Sequence, residues 1–124
     1  VGHEYNGKGN TTPGKVYKLI SNFPENIIIC AHIGGGLPFY GLMPEVKALL
    51  KNTYFDTAAM PYLYDKQVIA IAAQTIGAEH ILFGSDYPLL SQSRVLSDIK
   101  SSGLQGPELN KVLGANMSHL LGIT

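Results

Sequence analysis

The chain has 124 residues, enough for one domain that hides roughly two-thirds of its unfolded surface in a single core. Nine basic and nine acidic side chains give a formal charge of zero, and no run of either sign could track a phosphate backbone or an anionic membrane. Nucleic acid and lipid surfaces are therefore set aside as partners. The lone cysteine, Cys30, has no partner for a disulfide within the chain and points to a reducing compartment.

No apolar run is long enough to cross a bilayer, and the first residues lack the basic region and apolar stretch of a signal peptide, so the chain reads as soluble and cytoplasmic. The opening VGHEYNGKGNTT is polar and glycine-rich and begins at Val1. It predicts a loop whose preceding element lies upstream. Thr12 and Pro13 then supply a cap and a first-turn proline for a short amphipathic helix carrying Val16, Leu19, Ile20 and Phe23, which Pro24 ends. Ile27 to Ala31 is a continuous apolar run rich in β-branched residues, the pattern of a strand buried on both faces of a parallel sheet, and Cys30 inside it reads as a small buried hydrophobe. His32 follows, then a glycine turn at Gly34 to Gly36. The next segment predicts a helix that buries Leu42, Val46, Leu49 and Leu50 on one face, with Pro44 near its start.

The cycle repeats with a strand from Thr53 to Asp56 and a helix from about Asp65 that turns Val68, Ile69, Ala72, Ala73 and Ile76 inward and stops at Gly77. A third strand, His80 to Phe83, runs into GSDYP. Two short helices follow, one around Val95, Leu96 and Ile99, the other opened by Gly106 and Pro107 and carrying Leu109, Val112 and Leu113. The β-α unit recurs about every 26 residues, so the class is α/β with a parallel sheet covered by helices. The alternation alone fits a closed eight-stranded barrel or a doubly wound sheet, but three strands are too few for a whole barrel of about 250 residues.

In such folds the site lies at the carboxyl ends of the strands. His32, Asp56 and Asp86 each follow a strand there. A histidine and aspartates suit a metal centre better than a nucleophilic triad, because imidazole and carboxylate oxygen are ordinary ligands for zinc or manganese and an aspartate beside a metal can take a proton from an attacking water. No nucleophile elbow, phosphate loop or dinucleotide glycine pattern is present. Each residue also has a plainer reading: His32 as a core histidine bonded to backbone, Asp86 as a turn former in Ser-Asp-X-Pro, Asp56 as a structural acceptor, and Gly34 and Gly35 as a strand-to-helix turn rather than a close approach to a ligand. Tyr87 is the tyrosine best placed to line a pocket. Tyr5, Tyr40, Tyr54, Tyr62 and Tyr64 read as amphipathic packing, and His80 and His119 as structural or solvated.

AHIGGGLPFYGLMPEV at 31 to 46, YFDTAA at 54 to 59, ILFGSDYPLL at 81 to 90 and GANMSHLLGI at 114 to 123 together resemble the C-terminal part of the amidohydrolase-related metal-dependent hydrolases. These are TIM barrels of the amidohydrolase superfamily. The resemblance implies that the chain holds strands six to eight of a (β/α)8 barrel. It implies that His32 closes strand six and binds metal or polarises the substrate carbonyl. Asp86 then closes strand eight as a metal ligand and as acid and base for the attacking water, and Asp56 ends strand seven. It implies a divalent metal, zinc first and manganese second, and hydrolysis of an amide, ester or lactone. Some relatives instead remove carbon dioxide from aromatic or unsaturated acids, so a non-oxidative decarboxylase is the alternative. A small binding or scaffold protein without catalysis is a second alternative, carried by the plainer readings of the strand-end residues.

Two departures from the family pattern stand out. The first-strand H-x-H pair is absent, and the fifth-strand ligand is represented only by His3, in a loop-like context, or else lies upstream of Val1. The expectation is thus a single incomplete domain over 1–124. It acts on a small-molecule substrate when whole, and associates with the missing N-terminal part or with a second copy of itself. Alone it binds metal weakly and turns over nothing.

Overall fold

The computed structural model describes residues 9–123. Helix α1 (Pro13–Asn22) starts where the Thr12 hydroxyl accepts the Lys15 N–H, with Pro13 in its first turn. It leads to β1 (Ile28–Cys30). A 3-10 segment, His32–Leu42, and α2 (Pro44–Leu49) then cross to β2 (Thr53–Asp56). Beyond β2 come a short α3 (Met60–Leu63) and α4 (Val68–Ile76), which Gly77 ends at φ 102°. Strand β3 (Ile81–Leu82) is followed by α5 (Gln92–Lys100), α6 (Gly106–Asn110), a π-helical turn at Lys111–Ala115 and α7 (Asn116–Leu120).

The three strands form one parallel sheet in the order β1-β2-β3, with Cys30 opposite Phe55 and Phe55 opposite Ile81. That row of side chains is the sheet's buried face, and every member is under a tenth exposed. Two apolar clusters pack on it. Ile20, Leu37, Val46, Leu50 and Ile76 gather around Cys30 and Phe55, while Met60, Ile69, Ala72, Val95, Ile99 and Val112 gather around Ile33 and Ile81. A right-handed parallel crossover places its helix against the sheet it leaves, and α4 does so with all five of the residues expected to turn inward.

Two expectations from the sequence need correction. Ile27 to Ala31 was expected to be buried on both faces, yet Ile29 is 48% exposed. The register explains this: Ile29 lies opposite Tyr54 on the face away from Cys30 and Phe55, and β1 is an outer strand. Leu42 was expected to share the inward face of Val46 and Leu50, yet it is 81% exposed. Met43 adopts an extended conformation at φ −85°, ψ 117°, so the chain is not one helix through this point and the 3.6-residue period does not carry across it.

Candidate active site

The carboxyl ends of the strands bring the expected residues together. Asp56 is the last residue of β2, His32 comes two residues after β1, and Asp86 lies in the loop leaving β3. The His32 Nε2 atom stands 3.7 Å from Asp86 Oδ2, with the two side chains 25% and 45% exposed. Such a separation is too long for a hydrogen bond. It suits two donors facing one guest between them.

Asp56 stands beneath this pair as a backbone anchor. Its Oδ1 accepts the N–H of His32 at 2.9 Å and that of Ala58 at 3.0 Å. Thr57, fully buried, ties the exits of β2 and β3 together: its hydroxyl donates to the Gly84 carbonyl at 2.9 Å and accepts the Gly84 N–H at 3.0 Å. Nothing in the local sequence pattern marked Thr57, because a threonine beside a strand-end aspartate carries no spacing signal.

The glycine turn is tighter than a plain strand-to-helix turn. His32 and Ile33 have φ of 57° and 51°, and Gly34, Gly35 and Gly36 continue at 58°, 65° and 93°. Five successive left-handed residues build a short left-handed coil that turns the chain sharply at the end of β1. Gly34 has a second reason to lack a side chain, since a Cβ there would lie 2.7 Å from the Phe55 ring. Asp86 is left-handed as well, at φ 67°. Both members of the facing pair thus sit on backbone that L-residues seldom adopt, as side chains at functional sites often do.

Tyr64, read from the sequence as packing, donates its hydroxyl to the His32 carbonyl at 2.6 Å. Burial raises its pKa above the ordinary 10.0, against a smaller opposite pull from the Gly35 backbone N–H. Tyr87 is 75% exposed beside Asp86. His80 lies at the other end of the sheet, where its Nδ1 is 2.8 Å from the Thr53 carbonyl oxygen, and it takes no part in the pair. His3 lies outside the described residues. Among the described residues no group of three or more His, Cys, Asp or Glu side chains is arranged to hold a metal ion. The pair therefore fits a divalent ion as two members of a donor set: one imidazole nitrogen and one carboxylate oxygen, spaced as donors with bonds of about 2.0–2.2 Å to a common ion would be.

The fold has counterparts among solved structures. The amidohydrolase family model matches residues 10–123. The 5-carboxyvanillate decarboxylase of Sphingomonas paucimobilis superposes with a TM-score of 0.75 at 17% identity, over 91% of this chain and 40% of its own. For the dihydroxybenzoic acid decarboxylase of Polaromonas sp. JS666, solved with bound manganese and 2-nitroresorcinol, the values are 0.74 and 19%, over 89% and 39%. An amidohydrolase of Burkholderia multivorans solved with bound zinc gives 0.66 and 16%, over 90% and 49%. At these identities the likeness is one of fold, and the chain spans from two-fifths to half the length of these solved chains. No curated protein matches it. From the family match along nearly its whole length, the chain belongs to the amidohydrolase family.

Proposed function

We propose that the chain supplies strands six to eight of a metal-dependent amidohydrolase barrel, and that His32 and Asp86 are two of the donors to its divalent ion. The observation that carries this reading is the 3.7 Å approach of His32 Nε2 to Asp86 Oδ2 at the carboxyl edge of a parallel sheet. Bound manganese and zinc in two solved relatives support a divalent ion of either kind. Under this reading the remaining donors come from outside the described residues.

A divalent ion bound there supplies Lewis acidity, lowering the pKa of water and polarising a substrate oxygen. The chain's own residues do the rest. Asp86 has two carboxylate oxygens, so one can ligate while the other takes a proton from the water that attacks an amide, ester or lactone carbon. His32 supplies the nitrogen donor to that ion through Nε2. Asp56 and the left-handed coil fix where that nitrogen stands. A second reading keeps these residues and changes the reaction: Asp86 delivers a proton to the carbon from which carbon dioxide leaves. It is supported by the two decarboxylases, which superpose more closely than the zinc amidohydrolase does.

The test is Asp86→Asn in the protein at its natural length. Activity falls by at least about a hundredfold under either reading, the ordinary value of a positioned acid or base. Retained turnover contradicts both. Product analysis then separates them, carbon dioxide against a hydrolysed or ring-opened acid.

A further inference from the structure

We propose that a cleft at the amino end of the sheet, remote from His32 and Asp86, is a proton-dependent binding site for a small dianion of the kind a phosphate monoester or a short dicarboxylate presents. The cleft has a volume of about 440 Å³, within the range that takes a small ligand. It opens where β2 and β3 begin, and Lys51, Tyr54, Glu79, His80, Lys111 and His119 line it. Lys51 comes from the turn entering β2, Tyr54 from β2 itself, Glu79 and His80 from the turn entering β3, Lys111 from the π-helical turn and His119 from α7. The fold thus gathers two ammonium groups, two imidazoles and a phenol that the sequence leaves far apart.

The histidines decide what the cleft can hold. His80 Nδ1 lies 2.8 Å from the Thr53 carbonyl oxygen, and a carbonyl only accepts, so Nδ1 carries a hydrogen. Nε2 is then the ring's other polar atom, an acceptor while the imidazole is neutral and a donor once it takes a proton. The Tyr54 ring stands beside it, the two ring centroids 5.6 Å apart. His119 is exposed on α7, three residues after the Asn116 amide that ties this helix to the Ala78 and Ile81 carbonyls. Among the described residues neither the Tyr54 hydroxyl nor the His119 ring has a hydrogen-bond partner. The fixed charges balance: Lys51 faces Glu25 at 3.3 Å, and Lys111 faces Glu79 at 3.5 Å. Both pairs are exposed, and such pairs are worth about 0–1 kcal/mol, so either ammonium can be shared with a guest. Glu79 keeps its charge without Lys111, because its own backbone N–H is the main cause that holds its pKa below the ordinary 4.5. Any surplus of positive charge therefore comes from His80 and His119. Protonating both supplies two charges and two more donors, which match a doubly charged oxyanion and link its binding to proton uptake.

The experiment is a calorimetric titration of the protein at its natural length with sulfate, which keeps its double charge from pH 8 to pH 6, and in a second arm with malonate. The tighter of the two names the group recognised, a phosphoryl-like oxyanion or a pair of carboxylates. Sulfate is expected to bind at least about tenfold more tightly at pH 6 than at pH 8, since each proton taken up with the anion adds up to about tenfold per pH unit. Replacing both histidines, His80→Gln with His119→Gln, is expected to bring the two affinities within about twofold of each other. Lys111→Gln should weaken binding at both pH values by about threefold or more. A pH dependence that survives in the double histidine variant overturns the proposal, and so does a parent that binds neither anion at pH 6. Should the double variant not fold, Lys111→Gln with His119→Gln decides, because both side chains are exposed. Sulfate affinity at pH 6 within about twofold of the parent in that variant overturns the proposal.

Discussion

Gly34 shows how closely one residue can be specified. Its φ of 58° costs any L-residue about 1–2 kcal/mol, and a Cβ there would also press on the Phe55 ring, an overpacking that adds about 1–3 kcal/mol. Gly106 has a similar φ of 55° but open space around its missing Cβ. Gly34→Ala is thus expected to lose about 2–5 kcal/mol and Gly106→Ala about 1–2, measured by urea unfolding. Equal losses would show that Phe55 yields and that the close packing is not what demands glycine. The sequence displayed the three glycines and placed a turn beside His32. It could not show that His32 and Ile33 share the left-handed coil, because that conformation is imposed by Asp56, Tyr64 and the buried Ile33 side chain, all of them tertiary contacts. Cys30 is a second residue-scale case. Burial, and behind it the Asp56 charge, raises its pKa from 9.0 to about 11. The unfolded chain gives up that proton first as pH rises, so this contribution to stability is full below about pH 9 and is lost as pH passes through 11. A thiol reagent at pH 8 should leave the folded protein unmodified and label it once unfolded; fast labelling of the native state would contradict the buried placement.

At the scale of elements, the readings that held were those carried by local chemistry. A cap and a proline start α1 at Pro13, β-branched and aromatic residues make β2, and one apolar stripe ending at Gly77 makes α4. The readings that slipped depended on breaks without a sequence marker. Met43 interrupts the helical period before Val46, and α3 is only four residues long, too short for a period to be visible. The last helices were legible as apolar stripes, but not the bond that fastens them. Asn116, 8% exposed, donates its amide to the carbonyls of Ala78 at 2.7 Å and Ile81 at 2.8 Å, pinning the C-terminal helix to the amino end of β3. Asn116→Ala leaves two carbonyls without that donor and is expected to lose about 2 kcal/mol or more, read as a lower urea midpoint with the slope unchanged. A loss under about 0.5 kcal/mol would mean that water replaces the amide and the pin is dispensable.

For the whole molecule, the sheet and the site point the same way. Three parallel strands leave one face partly open at Ile29, and β1 and β3 are outer strands. No helix among the described residues is long and apolar enough to cross a membrane. Ile27, Ile29 and Leu42 are exposed apolar side chains that protein cover would bury. Further barrel strands, or a second copy of the chain, would give that cover, as the proposed strands six to eight require. The α/β class, the strand ends and the approach of His32 to Asp86 were legible because parallel sheets gather side chains at the carboxyl edge of their strands and the glycine and proline flanks mark that edge. The substrate was not, because neutral composition selects no charge and the described residues do not enclose the pair. The direct test of the central claim is an anomalous difference map at the manganese edge, from crystals of the natural-length protein grown with manganese. The account predicts a peak between His32 Nε2 and Asp86 Oδ2, bonded to both. Full manganese occupancy elsewhere, with that gap empty, would contradict it.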